Sequence, residues 1–172
     1  KMGMIWLLGA DEIDASALRN TFVVYQGHHG DVGAHCADVI LPGAAYTEKN
    51  GLYVNFEGRV QEARRAIFPP GEAKDDWSII RAFSGFIGHP LGFDNHDACR
   101  QMLISHFPHF GEIGKIHKSR WKKIGRPGKI SDVPISPLLK EYYMTCPISR
   151  SSETMAESRT SRENLGKPIA AE

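Results

Sequence analysis

The chain has 172 residues, with 21 lysines and arginines against 20 aspartates and glutamates, eight histidines and three cysteines. Its 41% apolar content excludes wholesale disorder, and its length is close to that of one domain. A formal net charge of +1 supplies no global field for nucleic acid or an anionic membrane, and no apolar run approaches the ~18 residues of a bilayer-spanning helix. The N-terminal residues lack the pattern of a secretory signal, so a soluble chain with no direct membrane span is expected.

Met4-Ile5-Trp6-Leu7-Leu8-Gly9 is a continuous apolar run closed by Gly9-Ala10-Asp11-Glu12. Continuous rather than alternating apolarity predicts a strand covered on both faces, interior to a parallel sheet. A short helix over residues 14–20 follows, with Asp14 or Ser16 as its cap, and residues 21–26 predict a second strand from their β-branched and aromatic content. Strand, helix and strand together predict a right-handed βαβ unit. Residues 27–37 read as a glycine-punctuated turn leading into one or two helical turns. Asp38-Val39-Ile40-Leu41-Pro42-Gly43 predicts a third buried strand, stopped by Pro42.

Beyond a polar loop at 46–51, residues 52–62 predict a hairpin with Gly58 supplying the positive φ of its turn. Asp75-Asp76 are expected to cap a helix over 77–87, with Trp77, Ile80, Phe83 and Ile87 as its apolar stripe. A second amphipathic helix over 95–107 would turn Cys99, Met102, Leu103 and Phe107 inward and end at Pro108. Residues 115–129 hold seven lysines and arginines and no acid, prolines 127, 134 and 137 break regular structure, and residues 151–172 are polar. This last third predicts an extended arm of low local stability, laid over something else.

Few motifs carry chemistry. Gly27-x-x-Gly30-x-x-Gly33 follows a strand, but a dinucleotide fingerprint needs G-x-G-x-x-G and a Walker loop needs G-K-[ST], so close backbone packing explains these glycines better. His28, His29, Asp31 and His35 are near in sequence, yet adjacent turn histidines rarely converge on a metal. Cys36, Cys99 and Cys146 form no C-x-x-C and lie far apart, which predicts free thiols and no cluster or zinc site within this chain. Asp75 and Asp76 suit a helix start better than an acid/base pair. Asn55, Glu57 and Arg59 form a polar constellation on the hairpin that either grips an anion or ties the hairpin to neighbouring loops. Residues 115–129, with Trp121 among them, would suit phosphate contacts and stacking, or simply a solvated surface.

Tyr25-Gln26-Gly27-His28-His29-Gly30-Asp31-Val32-Gly33-Ala34, then residues 37–49, then Tyr53-Val54-Asn55 with Glu57-Gly58-Arg59, resemble the C-terminal part of the largest iron–sulfur subunit of mitochondrial respiratory complex I. Asp76-Trp77 with Ile79-Ile80-Arg81-Ala82 also resembles it, as do Tyr142-Tyr143-Met144-Thr145, Ile148-Ser149-Arg150, Ser152 and Thr154-Met155-Ala156. The likeness is densest over residues 22–62 and thin across 84–137, and its tail is closer to the mitochondrial version.

The resemblance implies a molybdopterin-oxidoreductase-like α/β domain that has lost its cofactor. It further implies a non-catalytic, structural role in support of NADH-to-ubiquinone electron transfer, on the matrix side of the mitochondrial inner membrane. No catalytic, cofactor-binding or metal-ligating residue is expected in this chain; iron–sulfur clusters are expected in its partner. That partner is expected to be the N-terminal iron–sulfur part of the same subunit on a separate chain, alongside other peripheral-arm subunits, with no nucleic acid. The expected fold is α/β: an incomplete, parallel, Rossmann-like sheet with a hairpin and helices over residues 1–110, completed by the partner chain, then a basic segment and extended arm over 111–172. Two alternatives stay open. One is a molybdopterin-enzyme fragment offering Asn55, Glu57 and Arg59 to the cofactor; the other is a basic RNA-binding module using residues 115–129.

Overall fold

A computed structural model describes residues 3–10, 12–30, 32–118, 122, 125–136 and 141–165. The chain divides into two units, Lys1–Arg120 and Trp121–Glu172.

The first unit opens with three parallel strands, β1 (Met4–Leu8), β2 (Phe22–Gly27) and β3 (Val39–Pro42), lying side by side in that order. Met4 pairs with Phe22 and Leu8 with Gln26; Val24 pairs with Val39 and Gly27 with Pro42. The β1–β2 connection is a single 3-10 turn, Ala15–Leu18, where the sequence predicts a longer helix. Asp14 caps it by accepting from the Ser16 amide at 2.9 Å, and Asn20, with φ of 62°, ends it. The second connection is α1 (Val32–His35). Leu18 from the first connection joins Leu7, Val23 and Tyr25 in a buried cluster, and Ala34, Cys36 and Ala37 from the second pack against it. This face of the sheet is thereby covered over β1 and β2.

Two expectations about these strands need correction. The apolar run of β1 predicts an interior strand, yet β1 is a sheet edge and β2 the centre. β3 is not buried: Ile40 is 56% exposed and Val39 is also exposed. The cause is shared, because among the described residues no further strand lies alongside β1 and only a single bridge lies alongside β3. Apolar side chains there face solvent instead of a covering layer.

The opposite face carries Trp6, Val24 and Gln26 beneath α2 (Asp76–Phe86), and the Trp6 and Phe83 rings meet edge to face at 4.8 Å. Trp77, Ile80 and Phe83 are half-buried as predicted, but Ile87 lies just past the helix and is exposed. Between β3 and α2 runs the predicted antiparallel hairpin, β4 (Gly51–Val54) and β5 (Val60–Ala63), with Gly58 at φ of 81°. Where the chain returns from it, Gly43 and Lys74 form a parallel bridge. The Lys74 amide donates to the Pro42 carbonyl at 3.1 Å, and the Ala44 amide to that of Lys74 at 2.8 Å.

Helix α3 (His96–His106) starts at Asn95, whose side chain accepts from the Ala98 amide at 2.8 Å. Cys99, Met102 and Leu103 are half-buried, whereas Phe107 is exposed because the helix stops at His106 and the backbone swings to φ of −134° to enter a 3-10 turn, Pro108–Gly111.

In the second unit, the described residues 125–136 form no regular element. The expected extended arm is instead helical in part, with α4 (Pro147–Arg150) and α5 (Glu153–Asn164). Polar content hides good start signals here. Cys146 and Ser149 form a reciprocal capping box, and the Ser152 hydroxyl accepts from the Met155 amide at 3.4 Å. Glu153 then sits in the first turn, and Arg159 reaches Glu163 one turn on.

Candidate functional site

The polar centre of the first unit is built on Gln26, which is fully buried near the end of the central strand. A buried amide requires partners, and both ends of this one have them. Its oxygen accepts from the Trp6 indole N–H at 3.2 Å, and its nitrogen donates to Asp76 Oδ1 at 2.8 Å. The other Asp76 oxygen holds the Lys49 ammonium. Strand β1, strand β2, the first turn of α2 and the loop before β4 are thus joined by one chain of contacts. Gly43 is needed beside it, since a Cβ there would lie 3.0 Å from Asp76 Oδ1.

This corrects the reading of Asp75 and Asp76 as caps. The Asp75 carboxylate makes no cap bond and accepts from the Trp77 indole at 3.3 Å, while Asp76 faces the sheet. Only the electrostatic advantage of two carboxylates at a helix start remains.

A cavity of about 330 Å³ adjoins the network, lined by Lys49, Tyr53, Asp76, Trp77, Cys99 and Arg100 among others. Its principal cations are engaged, Lys49 with Asp76 and Arg100 with Glu62 at 2.7 Å. Such an arrangement ties the hairpin and its preceding loop to the two helices.

The glycine turn is a packing device around Tyr25. Cβ atoms on Gly27 or Gly33 would collide with its ring, the latter at 2.8 Å, and the Tyr25 hydroxyl donates to the His29 carbonyl at 3.1 Å. His28 and His29 do converge, with their Nδ1 atoms 2.6 Å apart. One must accept while the other donates, so both cannot carry a proton there. Partial desolvation, then the charges of His29 and Lys49, hold the His28 pKa below the usual histidine value. His35 ends α1, and Asp31 lies outside the described residues. Among the described residues no three His, Cys, Asp or Glu side chains gather closely enough to hold a metal ion.

The hairpin trio is occupied with its own turn. Asn55 Oδ1 accepts from the Glu57 and Arg59 amides, both at 3.0 Å, and its nitrogen donates to Glu57 Oε2 at 3.4 Å. Arg59 pairs with Glu57 at 3.5 Å and reaches the Gly114 carbonyl at 3.5 Å, leaving its Nε buried without a partner. The Asn55 oxygen is thereby taken up by the turn, while the Arg59 and Glu57 side chains keep 37% and 58% of their surface exposed.

The cysteines are dispersed. Cys36 packs on the core; burial raises the Cys99 thiol pKa. Cys146 is exposed, and the Ser149 hydroxyl and amide lower its pKa. Of the basic stretch, the described residues 115–118, 122 and 125–129 are all exposed, and Trp121 lies outside them. The Gln26 network escapes sequence reasoning. Its one local signal is a lone amide closing an apolar strand.

A three-stranded parallel sheet, helically covered and interrupted by a hairpin after its third strand, is the α/β type that the sequence predicts. The chain belongs to the molybdopterin oxidoreductase family, whose model matches residues 1–86, half of the chain, from β1 through the last residue of α2. A second model, for the C-terminal region of the NADH-ubiquinone oxidoreductase G subunit, matches residues 117–158.

The relatives agree with both. The chain is 42% identical over 170 residues to the NADH-quinone oxidoreductase G subunit of Rickettsia conorii, covering 99% of this chain and 25% of that protein. It is 45% identical over 156 residues to the NADH-ubiquinone oxidoreductase 75 kDa subunit of Reclinomonas americana, covering 89% and 23%. It is 46% identical over 168 residues to the mitochondrial 78 kDa subunit of that enzyme in Candida albicans, covering 91% and 23%. The chain therefore spans about a quarter of the relatives it matches.

Proposed function

We propose that this chain is a structural, non-catalytic portion of the complex I component represented by these relatives, supporting NADH-to-ubiquinone electron transfer without carrying a cofactor. The observation that carries this reading is similarity to the Rickettsia conorii protein along nearly the whole chain. The geometry supports it, because the buried polar groups knit strands to helices and the Asn55 oxygen is taken up by its own turn. Iron–sulfur clusters would sit in the remaining part of the subunit, and other peripheral-arm subunits would be its neighbours. The mitochondrial relatives in Candida albicans and Neurospora crassa support a mitochondrial location, within which the proposed role would place the chain on the matrix side of the inner membrane.

The test is native electrophoresis of solubilised membranes with mass spectrometry of the NADH-oxidising band. The chain should be present in stoichiometric amount, and the purified assembly should lack molybdenum and tungsten. Absence of the chain from that band, or one equivalent of either metal, would overturn the proposal.

A further inference from the structure

The sequence and the sheet disagree at β1, and the disagreement points to a missing neighbour. Met4-Ile5-Trp6-Leu7-Leu8 has no charge, proline or bulge to guard an edge, yet it forms one, with Met4 45% and Leu8 52% exposed. The Phe22 amide donates to the Gly3 carbonyl at 3.3 Å, and the Gly9 amide to that of Gln26 at 2.7 Å. Main-chain groups of odd-numbered residues therefore face β2, and by alternation those of Met4, Trp6 and Leu8 point to the open side. Above the same edge, beside α2, lies an almost wholly apolar groove of about 330 Å³ lined by Trp6, Leu8, Ile80 and Phe83.

An unpaired strand edge and an apolar groove on the α2 side of it have the shape of one absent βα unit. All three strands are parallel, and a parallel sheet grows by adding a strand together with a helix on one face. The other face is already filled near β1 by Leu18 and Ile13. Relatives extend to about four times this chain's length, leaving ample sequence to supply the unit.

We propose that in the assembled protein the open edge of β1 pairs with a parallel strand from the part of the subunit outside these 172 residues, whose helix fills the groove between Trp6, Leu8, Ile80 and Phe83. This rests on the function proposed above and names the surface through which it is realised.

Hydrogen exchange on the intact complex, read by fragmentation to single residues, tests the pairing. The Trp6 and Leu8 amides should be protected to within about tenfold of Ile5 and Leu7, which face β2. Exchange at Trp6 and Leu8 more than about a hundredfold faster overturns the inference, yet leaves the proposed function standing if the chain is present in the complex. A benzophenone amino acid at position 8 should crosslink, on illumination of the complex, to the remainder of the same subunit. An adduct with a second copy of this chain or with a different subunit overturns it.

Discussion

Gln26 donates to Asp76 at 2.8 Å, joining the buried end of the central strand to the first turn of α2 across 50 residues of sequence. Neither partner can be altered alone without stranding the other. Gln26→Ala would leave the Trp6 indole and one Asp76 oxygen unpaired and open a small cavity, a loss of about 2–4 kcal/mol. Asp76→Asn keeps the shape but strands Lys49; both groups are partly exposed, so about 1–2 kcal/mol is expected. Denaturant melts of the singles and the double should be non-additive by more than about 0.5 kcal/mol. Strict additivity would show that the contact carries no energy.

Tyr25 dictates two glycines. Gly33→Ala places a methyl group 2.8 Å from the buried Tyr25 ring and 3.0 Å from the Ala10 carbonyl, so that something must shift. About 1–3 kcal/mol should be lost in thermal or urea unfolding. Gly30→Ala is the control, because nothing lies within 4 Å of that position; equal effects at both positions would refute the steric account.

Acid should weaken the fold through His28. Its folded pKa lies below the unfolded value of about 6.5. As pH falls through the unfolded value, the unfolded chain takes a proton that the folded one declines, so stability drops, levelling off only below the folded pKa. Burial is the largest cause of the shift, His29 and Lys49 add to it, and Glu48 and Asp76 oppose it. Denaturation midpoints measured between pH 8 and pH 5 should fall less steeply in His28→Gln than in the parent chain.

Thiol chemistry should separate the cysteines. Alkylation by iodoacetamide at pH 7.5, followed by peptide mass spectrometry, is expected to label Cys146 first and Cys99 last, following thiolate fraction and exposure. Ser149→Ala should slow Cys146 by removing the hydroxyl that favours its thiolate. An unchanged rate would assign the reactivity to exposure alone.

Local signals in the sequence are reliable where residues answer to near neighbours. Gly58 marks the hairpin turn, Asn95 the start of α3, and the β-branched and aromatic run of residues 21–26 the central strand, because turns, caps and strand propensity act within a few residues. Asp76 misleads because its position by a helix start is local, while its partners, Gln26 and Lys49, are set by the tertiary fold. The apolarity of β1 and β3 describes strands enclosed on every side, and the described residues do not supply all of that enclosure. The helix α5 is obscured for the opposite reason. Its polarity resembles an unstructured tail, and its capping residues are the stronger evidence.

The bridge between Gly43 and Lys74 makes the segment between them a closed excursion, with the hairpin at its far end and both ends pinned at the sheet. Closure entropy grows only slowly with contour length. Extra residues grafted at the solvent-facing tip, next to Phe56, should therefore leave the strand register untouched, making that tip a natural place to carry a tag or a probe.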